Sequence, residues 1–232
     1  MPEWWTYTLS DFLLFSPRTY YRLIERHNEA LWPAQVAALG LGFVLVGLLR
    51  RPNARQGRIV SVILAILWVW VGWAFVWRRY TTINWAAKYL VWLFAIEVLL
   101  LVWMSVDRGG PRIGWRRDAA GILGSALLFL SLVLYPAFAP LLGRGWRQAE
   151  LFGVAPDPTV LATLGVLLLA DGPPRWMVLA MPVLWCVVSG ATLLAMGSPE
   201  AWVLLAGALL GMGASTGRVG GHSRPPPGVY RS

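Results

Sequence analysis

The 232-residue sequence has one cysteine, two histidines and one lysine, and only 13% of its residues are charged. The cysteine, Cys186, cannot form an intrachain disulfide, a zinc site or an iron–sulfur site by itself. The histidines, His27 and His222, lie outside the apolar runs, which argues against a buried bis-histidine haem. No motif of a zinc protease, a serine hydrolase or a phosphate-binding loop occurs. We therefore predict no metal site, no cofactor and no enzyme activity.

The sequence is rich in apolar residues. Hydrophobic residues make up 57% of the chain, whereas soluble domains have about 45–50% apolar and about 25% charged residues. This composition predicts a polytopic membrane protein whose principal partner is the lipid bilayer. The 20 Lys and Arg residues exceed the 11 Asp and Glu residues. Because the arginines lie in short connections between apolar runs, they indicate membrane topology, and we predict no binding of nucleic acid.

The apolar runs predict an all-α fold, a transmembrane helical bundle of six to seven spans with an N-terminal interfacial helix. Ser16 and Pro17 mark the start of that interfacial helix as N-cap and first helical residue. The predicted spans are 30–49, 59–77, 85–104, 119–142, 159–170, 176–196 and 201–213. The runs 159–170 and 201–213 are short, since a span needs about 20 apolar residues. Counting both gives seven spans, and leaving one out gives six.

Residues 1–216 are predicted to form a single transmembrane domain, in which residues 1–29 are the interfacial segment. Residues 217–232 form a basic tail, rich in glycine and proline, that we expect to be flexible. With seven spans, the connections on the C-terminal side carry more arginines than those on the N-terminal side. The positive-inside rule then predicts an inner-membrane protein with its N-terminus outside and its C-terminus in the cytoplasm.

Local signals predict three finer features. Pro136 and Pro140 are expected to kink the fourth span. Gly121 and Ser125 form a small-residue face that allows close approach of a neighbouring helix. The pair Asp157 and Pro158 predicts a helix start, with Asp157 as N-cap and Pro158 as the first helical residue.

Glu97 is the first candidate site residue, because it lies well inside the apolar run 85–104. An acidic side chain near the middle of a span costs about 2.5–3.5 kcal/mol on insertion scales. Glu97 is therefore a candidate to bind a cation or relay a proton. The structural alternatives are an ion pair with Lys88 or Arg78, or a protonated, hydrogen-bonded carboxyl group.

A second group of polar residues gathers at the mouths of two predicted spans. His27, Asn28, Glu29 and Gln35 precede or open the first span, while Asn84 and Lys88 open the third. With seven spans these two connections share one side of the membrane, so the six residues form a candidate ligand or ion pocket. The structural alternative is helix capping, in which such side chains satisfy free backbone groups.

Four short segments of the chain resemble DUF6064, an uncharacterised family of bacterial multi-pass membrane proteins. They are the segments 28–35, 83–87, 156–159 with 163–165, and 182–185. The resemblance implies an inner-membrane protein of six to seven helices and supplies no activity. Glu97 stands where that pattern has a polar amide, so the resemblance gives Glu97 no role.

Two hypotheses for function follow. The first is transport of a small solute or ion through a polar site near Glu97. The second is a non-catalytic structural or accessory subunit of a larger membrane complex, which would bind other membrane proteins or form a homo-oligomer. The tryptophan-rich spans and the scarcity of interior polar groups favour the second hypothesis.

Overall fold

The computed structural model describes residues 13–107, 109–172 and 175–222, and of residues 217–222 only the backbone. These residues form an all-helical fold in which no strand occurs, with one isolated β-bridge between Ile113 and Ala170. The helices are α1 (Pro17–Leu31), α2 (Ala34–Leu48), α3 (Ala54–Val71), α4 (Ala87–Val106), α5 (Ala119–Phe129), α6 (Phe138–Leu141), α7 (Pro156–Leu168), α8 (Trp176–Ala195) and α9 (Ala201–His222). Residues 1–12 of the predicted interfacial segment and residues 223–232 of the predicted tail lie outside the described residues.

Four helical segments are long and apolar enough to cross a membrane. They are Ala54–Thr82, Ala87–Val106, Ala119–Leu141 and Trp176–Ala195. The helices α1 and α2 pass the same test only as one pair, which is bent by 89°. Length and composition therefore support four spans, or five if the bent pair counts as one. The segments Pro156–Leu168 and Ala201–Thr216 are apolar but shorter, so the count of six to seven spans remains a prediction.

The predicted start of α1 is confirmed. Ser16 is the N-cap, and its hydroxyl oxygen accepts a hydrogen bond of 3.2 Å from the Thr19 backbone N–H. Pro17 occupies the first helical position, where its missing N–H costs nothing. The buried face of α1 carries Tyr20 and Ile24, while its opposite face is polar. The right-angled bend after α1 thus separates an amphipathic helix from the apolar α2.

Interruptions of regular helix occur where the sequence predicts one and also where it does not. The fourth predicted span continues from α5 through a π-helical turn at Leu130–Leu134 and a 3-10 turn at Tyr135–Ala137, which contains Pro136. The kink predicted there is confirmed, because Pro136 has no N–H to donate. A second π-helical turn, Gly72–Trp77, ends α3 without a proline.

Loop contacts define two ends of the bundle. At one end, here called the Asp171 end, residues 107–118 meet residues 169–175. The Asp171 N–H donates to the Arg112 carbonyl oxygen at 2.8 Å, and the Gly114 N–H donates to the Leu169 carbonyl oxygen at 3.2 Å. At the other end, here called the Glu150 end, residues 142–155 meet α1 and residues 196–200.

Helix α7 runs between these two ends through the centre of the bundle. All thirteen of its residues are buried, and it packs against α3, α5, α8 and α9. The closest crossing is with α5, where a Cβ atom added to Gly165 would lie 2.6 Å from the Gly124 carbonyl oxygen. The close approach predicted for Gly121 is thus made by Gly124, because a Cβ on Gly121 would meet Arg116 of its own connection.

Candidate functional site

Glu97 is buried and isolated. It is fully shielded from solvent, and neither of its carboxylate oxygens has a hydrogen-bond partner among the described residues. It lies one turn after Phe94, whose ring packs against Trp68 and Trp185 at centroid distances of 4.6 and 5.0 Å. The surroundings of Glu97 on this side are therefore apolar and aromatic.

The two basic residues considered as partners of Glu97 lie elsewhere. The Lys88 ammonium lies 5.2 Å from the ring centroid of Tyr89, and the Arg78 guanidinium lies 5.2 Å from that of Trp73. Both contacts are at the outer surface of the bundle, where Tyr89 and Trp73 are exposed. Neither residue forms an ion pair with Glu97 in the described part of the chain.

Three of the predicted mouth residues do come together. The Asn28 side-chain amide donates to the carbonyl oxygens of Arg147 and Ala149, both at 2.8 Å. The Gln35 amide donates to the Asn28 carbonyl oxygen at 2.6 Å, and Glu29 forms an ion pair of 3.0 Å with Arg147. Asn28, Glu29 and Gln35 line a surface cavity of ≈ 590 Å³ at the Glu150 end.

The other predicted mouth residues are not part of this cavity. His27 is buried, with its Nε2 atom 3.2 Å from the Val154 carbonyl oxygen. The Asn84 side-chain oxygen accepts a hydrogen bond of 3.0 Å from the Ala86 N–H, in the turn that precedes α4. The Lys88 ammonium lies over the exposed rings of Trp85 and Tyr89. The six residues thus do not form one pocket.

A more polar site lies inside the Glu150 end, around the first turn of α7. The Asp157 carboxylate is fully buried and accepts a 2.7 Å hydrogen bond from the indole N–H of Trp185. The Ser189 hydroxyl lies 2.8 and 2.9 Å from its two oxygens, and the Tyr135 hydroxyl donates to Oδ2 at 3.3 Å. Side chains from α8 and from the kinked end of the α5 span therefore fix the orientation of this carboxylate.

Two further buried carboxylates accompany Asp157. Glu150 accepts a 3.4 Å hydrogen bond from the Tyr20 hydroxyl through Oε1, whereas its Oε2 atom has no partner in the described structure. Glu200 forms an ion pair with Arg144 and accepts a 2.8 Å hydrogen bond from the Ser198 hydroxyl. We call Glu150, Asp157, Glu200 and Arg144 the buried acidic cluster.

The electrostatics of the buried acidic cluster are unbalanced. Of the three carboxylates, only Glu200 forms an ion pair with the Arg144 guanidinium among the described residues, and the Nη1 atom of Arg144 is itself without a hydrogen-bond partner there. Burial raises the pKa of Glu150 well above its usual range, and the neighbouring carboxylates of Asp157 and Glu200 raise it further. The Arg144 charge and the Tyr20 hydrogen bond lower the pKa by less. The raised pKa favours a protonated Glu150 side chain.

Aromatic hydroxyl groups surround the cluster. The ring centroids of Tyr20 and Tyr80 lie 6.2 Å apart. The Arg144 guanidinium lies 4.0 Å from the ring centroid of Tyr21. Among the described residues, no group of three or more His, Cys, Asp or Glu side chains is placed to hold a metal ion.

Sequence reasoning missed the cluster for a local and a long-range reason. The helix that contains Asp157 begins at Pro156 with Ala155 as its N-cap, so the predicted N-cap role of Asp157 is wrong. The Asp157 side chain forms hydrogen bonds with Trp185 and Ser189 of α8 instead of capping its own helix. The pairing of Arg144 with Glu200 spans 56 residues and leaves no local pattern. A signal was present in Glu150, a lone acid followed by the apolar residues 151–155.

Comparison with known proteins identifies one family. The model of DUF6064, described as a family of unknown function, matches residues 18–218. That range includes every described residue from Arg18 of α1 to the end of α8, and most of α9. No curated protein and no solved structure matches the chain.

Proposed function

The chain belongs to DUF6064, a family whose description names no activity, and from the buried acidic cluster we propose that this protein transports an ion, with the proton as the ion that the site fits best. The observation that carries the proposal is the charge of the cluster. Three carboxylates are buried there, and among the described residues the one guanidinium of the cluster, that of Arg144, forms an ion pair with Glu200 alone. Ionised carboxylates at depth are costly unless they are compensated, so bound protons or a bound cation must supply the missing positive charge.

Glu97 supplies a second protonatable group farther along the bundle. It lies near the middle of α4, which is long and apolar enough to span a bilayer. An intramembrane carboxyl group without a fixed partner is a candidate step in a proton pathway. The cavity lined by Asn28, Glu29 and Gln35 lies beside Ala149, the neighbour of Glu150 in the chain. We propose this cavity as the route by which protons reach Glu150 from solution.

The proposal includes a membrane arrangement. Helices α2, α3, α4, the α5 span, α7, α8 and α9 alternate between the two ends of the bundle, which supports seven crossings. Helix α7 crosses as a short helix because it contacts protein on every side. We propose that the protein resides in the bacterial inner membrane, with the Glu150 end and the N-terminus outside and the C-terminus in the cytoplasm.

The test is proton flux into vesicles. The purified protein is reconstituted into liposomes that contain a pH-sensitive dye, and an imposed pH gradient and membrane potential drive the flux. We expect Asp157→Asn and Glu150→Gln to lower the flux to that of protein-free vesicles, and Glu97→Gln to slow it. The matched control is Asp171→Asn, which removes a half-exposed carboxylate at the opposite end and should leave the flux unchanged.

Two outcomes of this assay contradict the proposal. Wild-type vesicles that conduct no more protons than protein-free vesicles would refute proton transport. Equal flux through wild-type protein and Asp157→Asn would show that the buried acidic cluster is structural. Size-exclusion chromatography of each variant before reconstitution separates a loss of transport from a loss of fold.

A second candidate function, an accessory subunit of a membrane complex, is favoured by the outer face of α4. Tyr89, Trp92 and Trp103 lie there, Trp85 precedes the helix, and all four side chains are at least half exposed. Such a stripe is suited to lipid or to a protein partner. Gentle detergent purification from native membranes, followed by mass spectrometry, tests this candidate. A stoichiometric partner protein would support it, and a protein that purifies alone would refute it.

A further inference from the structure

A stripe of arginines runs along one side of α1. Arg18, Arg22 and Arg26 are spaced four residues apart, so they lie on one face of the helix. The two acidic residues of α1 do not neutralise this stripe. Glu25 accepts a 3.2 Å hydrogen bond from the Gln148 amide, and Glu29 pairs with Arg147 at 3.0 Å. Both acids thus contact residues 147–148 and not the arginines of their own helix.

The candidate span Ala54–Thr82, which begins with α3, brings two more arginines to this stripe near its C-terminal end. Arg78 and Arg79 follow the π-helical turn Gly72–Trp77, which ends the apolar part of the segment. Together with Arg18, Arg22 and Arg26 they line one cavity of ≈ 350 Å³ between α1 and the end of α3. We call this cavity, lined by the five arginines, the arginine cavity.

No carboxylate forms an ion pair with any of the five guanidinium groups in the part of the chain that the structure describes. The other residues lining the cavity are two hydroxyl side chains, Thr19 and Thr82, and two apolar ones, Leu23 and Ile83. A second cavity across α1, of ≈ 490 Å³, shares the α1 arginines but contains Glu25 and Glu29. Arg18, Arg22 and Arg26 therefore lie between two cavities, and of these two the arginine cavity has no carboxylate among its described lining residues.

We propose that the arginine cavity binds a phosphate group. Guanidinium groups bind phosphate oxygens through paired, charge-assisted hydrogen bonds, which makes arginine the usual residue for phosphate recognition. Five such groups around one cavity supply more donors than a single phosphate needs, and the threonine hydroxyls add further ones. The cavity lies within the size range of ligand pockets, about 300–1,000 Å³.

The position of the cavity identifies two sources of the phosphate. It lies beside the amphipathic α1 and at the end of a candidate membrane span, next to the exposed Trp73 and Trp77. Tryptophans at this level are typical of the membrane surface, where arginines can bind the phosphate of a lipid head group. The apolar residues Leu23 and Ile83 would contact the glycerol and acyl part of a lipid. A free phosphate ion would use only the arginines and hydroxyls.

The experiment measures binding to the full-length protein in an uncharged detergent. The probes are dioctanoyl phosphatidylglycerol, dioctanoyl phosphatidylcholine and inorganic phosphate, each titrated while binding is followed through intrinsic tryptophan fluorescence. The test variant is the double substitution Arg22→Gln and Arg79→Gln. The matched control is Arg50→Gln with Arg51→Gln, which removes two exposed arginines from the other end of α3.

We expect the test variant to weaken binding of the anionic probes, dioctanoyl phosphatidylglycerol and inorganic phosphate, by about tenfold or more, since it removes two of the five guanidinium groups available to bind phosphate oxygens. The control should bind as the wild type does. Restoring charge with Arg22→Lys and Arg79→Lys should recover part of the affinity, because lysine keeps the charge but loses the paired hydrogen bonds.

The arms of the experiment distinguish the sources. Binding of phosphatidylglycerol in preference to inorganic phosphate assigns the site to a lipid head group, and binding of both with similar affinity assigns it to phosphate as such. The proposal is overturned if none of the probes binds, or if the control variant loses as much affinity as the test variant. It is also overturned if phosphatidylcholine binds to both double variants as tightly as phosphatidylglycerol binds to the wild type.

Discussion

Replacing Gly165 by alanine tests the central position of α7 most directly. A Cβ atom at this residue would lie 2.6 Å from the Gly124 carbonyl oxygen and 3.0 Å from the Leu128 backbone nitrogen. Both are backbone atoms of α5, so the contact cannot be relieved by turning a side chain. To accept the methyl group, the two helices must move apart.

The expected magnitude follows from two opposing effects. Alanine is more favourable than glycine inside a helix by about 1 kcal/mol. Overpacking of a close contact costs about 1–3 kcal/mol, and the backbone contacts on both sides of Gly165 place this site at the upper end. We expect a net loss of about 1–2 kcal/mol, which corresponds to a Tm lower by roughly 2–8 °C for a chain of this size.

Thermal unfolding in detergent, followed by tryptophan fluorescence, measures the shift. The matched control is Gly40→Ala in α2, because a Cβ atom there would meet no atom within 4 Å. That substitution keeps the gain in helix propensity without the clash, so its Tm should stay equal or rise. A Tm for Gly165→Ala that matches or exceeds that of Gly40→Ala would refute the close packing of α7 on α5.

Three further predictions concern buried polar groups, and thermal unfolding measures each. Thr163→Val should cost about 1–3 kcal/mol, because the Trp68 indole N–H, fully buried, then loses its acceptor at 2.9 Å. Arg144→Met should cost about 3–5 kcal/mol, since it leaves Glu200 buried without its cation. Because the pKa of Glu150 is raised in the folded state, its stabilising contribution is complete below the ordinary glutamate pKa and is lost as pH rises through the folded pKa. The Tm should therefore fall from acidic toward alkaline pH, and less steeply in Glu150→Gln.

Each of these three has its own control. Thr163→Ser retains the hydroxyl and should recover most of the stability, so an equal loss would show that the Thr163 methyl group matters instead. The double change Arg144→Met with Glu200→Met should be less destabilising than Arg144→Met alone. An identical pH dependence of the Tm in wild type and Glu150→Gln would contradict the raised pKa.

Local signals in the sequence predicted much of the helical fold. The N-cap at Ser16 and the kink at Pro136 are confirmed, since both depend on chemistry within a few residues. The long apolar runs likewise correspond to α3, α4, the α5 span and α8, with ends shifted by a few residues. The π-helical turn before Arg78 carries no such local signal, whereas Pro33 marks the break between α1 and α2.

The candidate site could not be predicted in the same way. Asp157 has the local pattern of a helix cap, and only its contacts with Trp185 and Ser189, 28 and 32 residues away, show that it belongs to a buried network. The tertiary position of α7 determines this role of Asp157, because enclosure by other helices leaves the polar side chains of α7 without water. Glu97 was the easier residue to find, since an acid within an apolar run is visible in the sequence itself.

The enclosure of α7 has a consequence for how the chain is assembled during synthesis. Helix α7 is only 13 residues long and carries Asp157, Thr159 and Thr163. We therefore expect that the insertion machinery does not release α7 into the lipid by itself. The helices that complete its surroundings, α8 and α9, are synthesised after it. We expect α7 to enter the bilayer only together with α8, as a pair. A nascent chain that stops after Asp171 should therefore leave this helix at the membrane surface, within reach of an added protease.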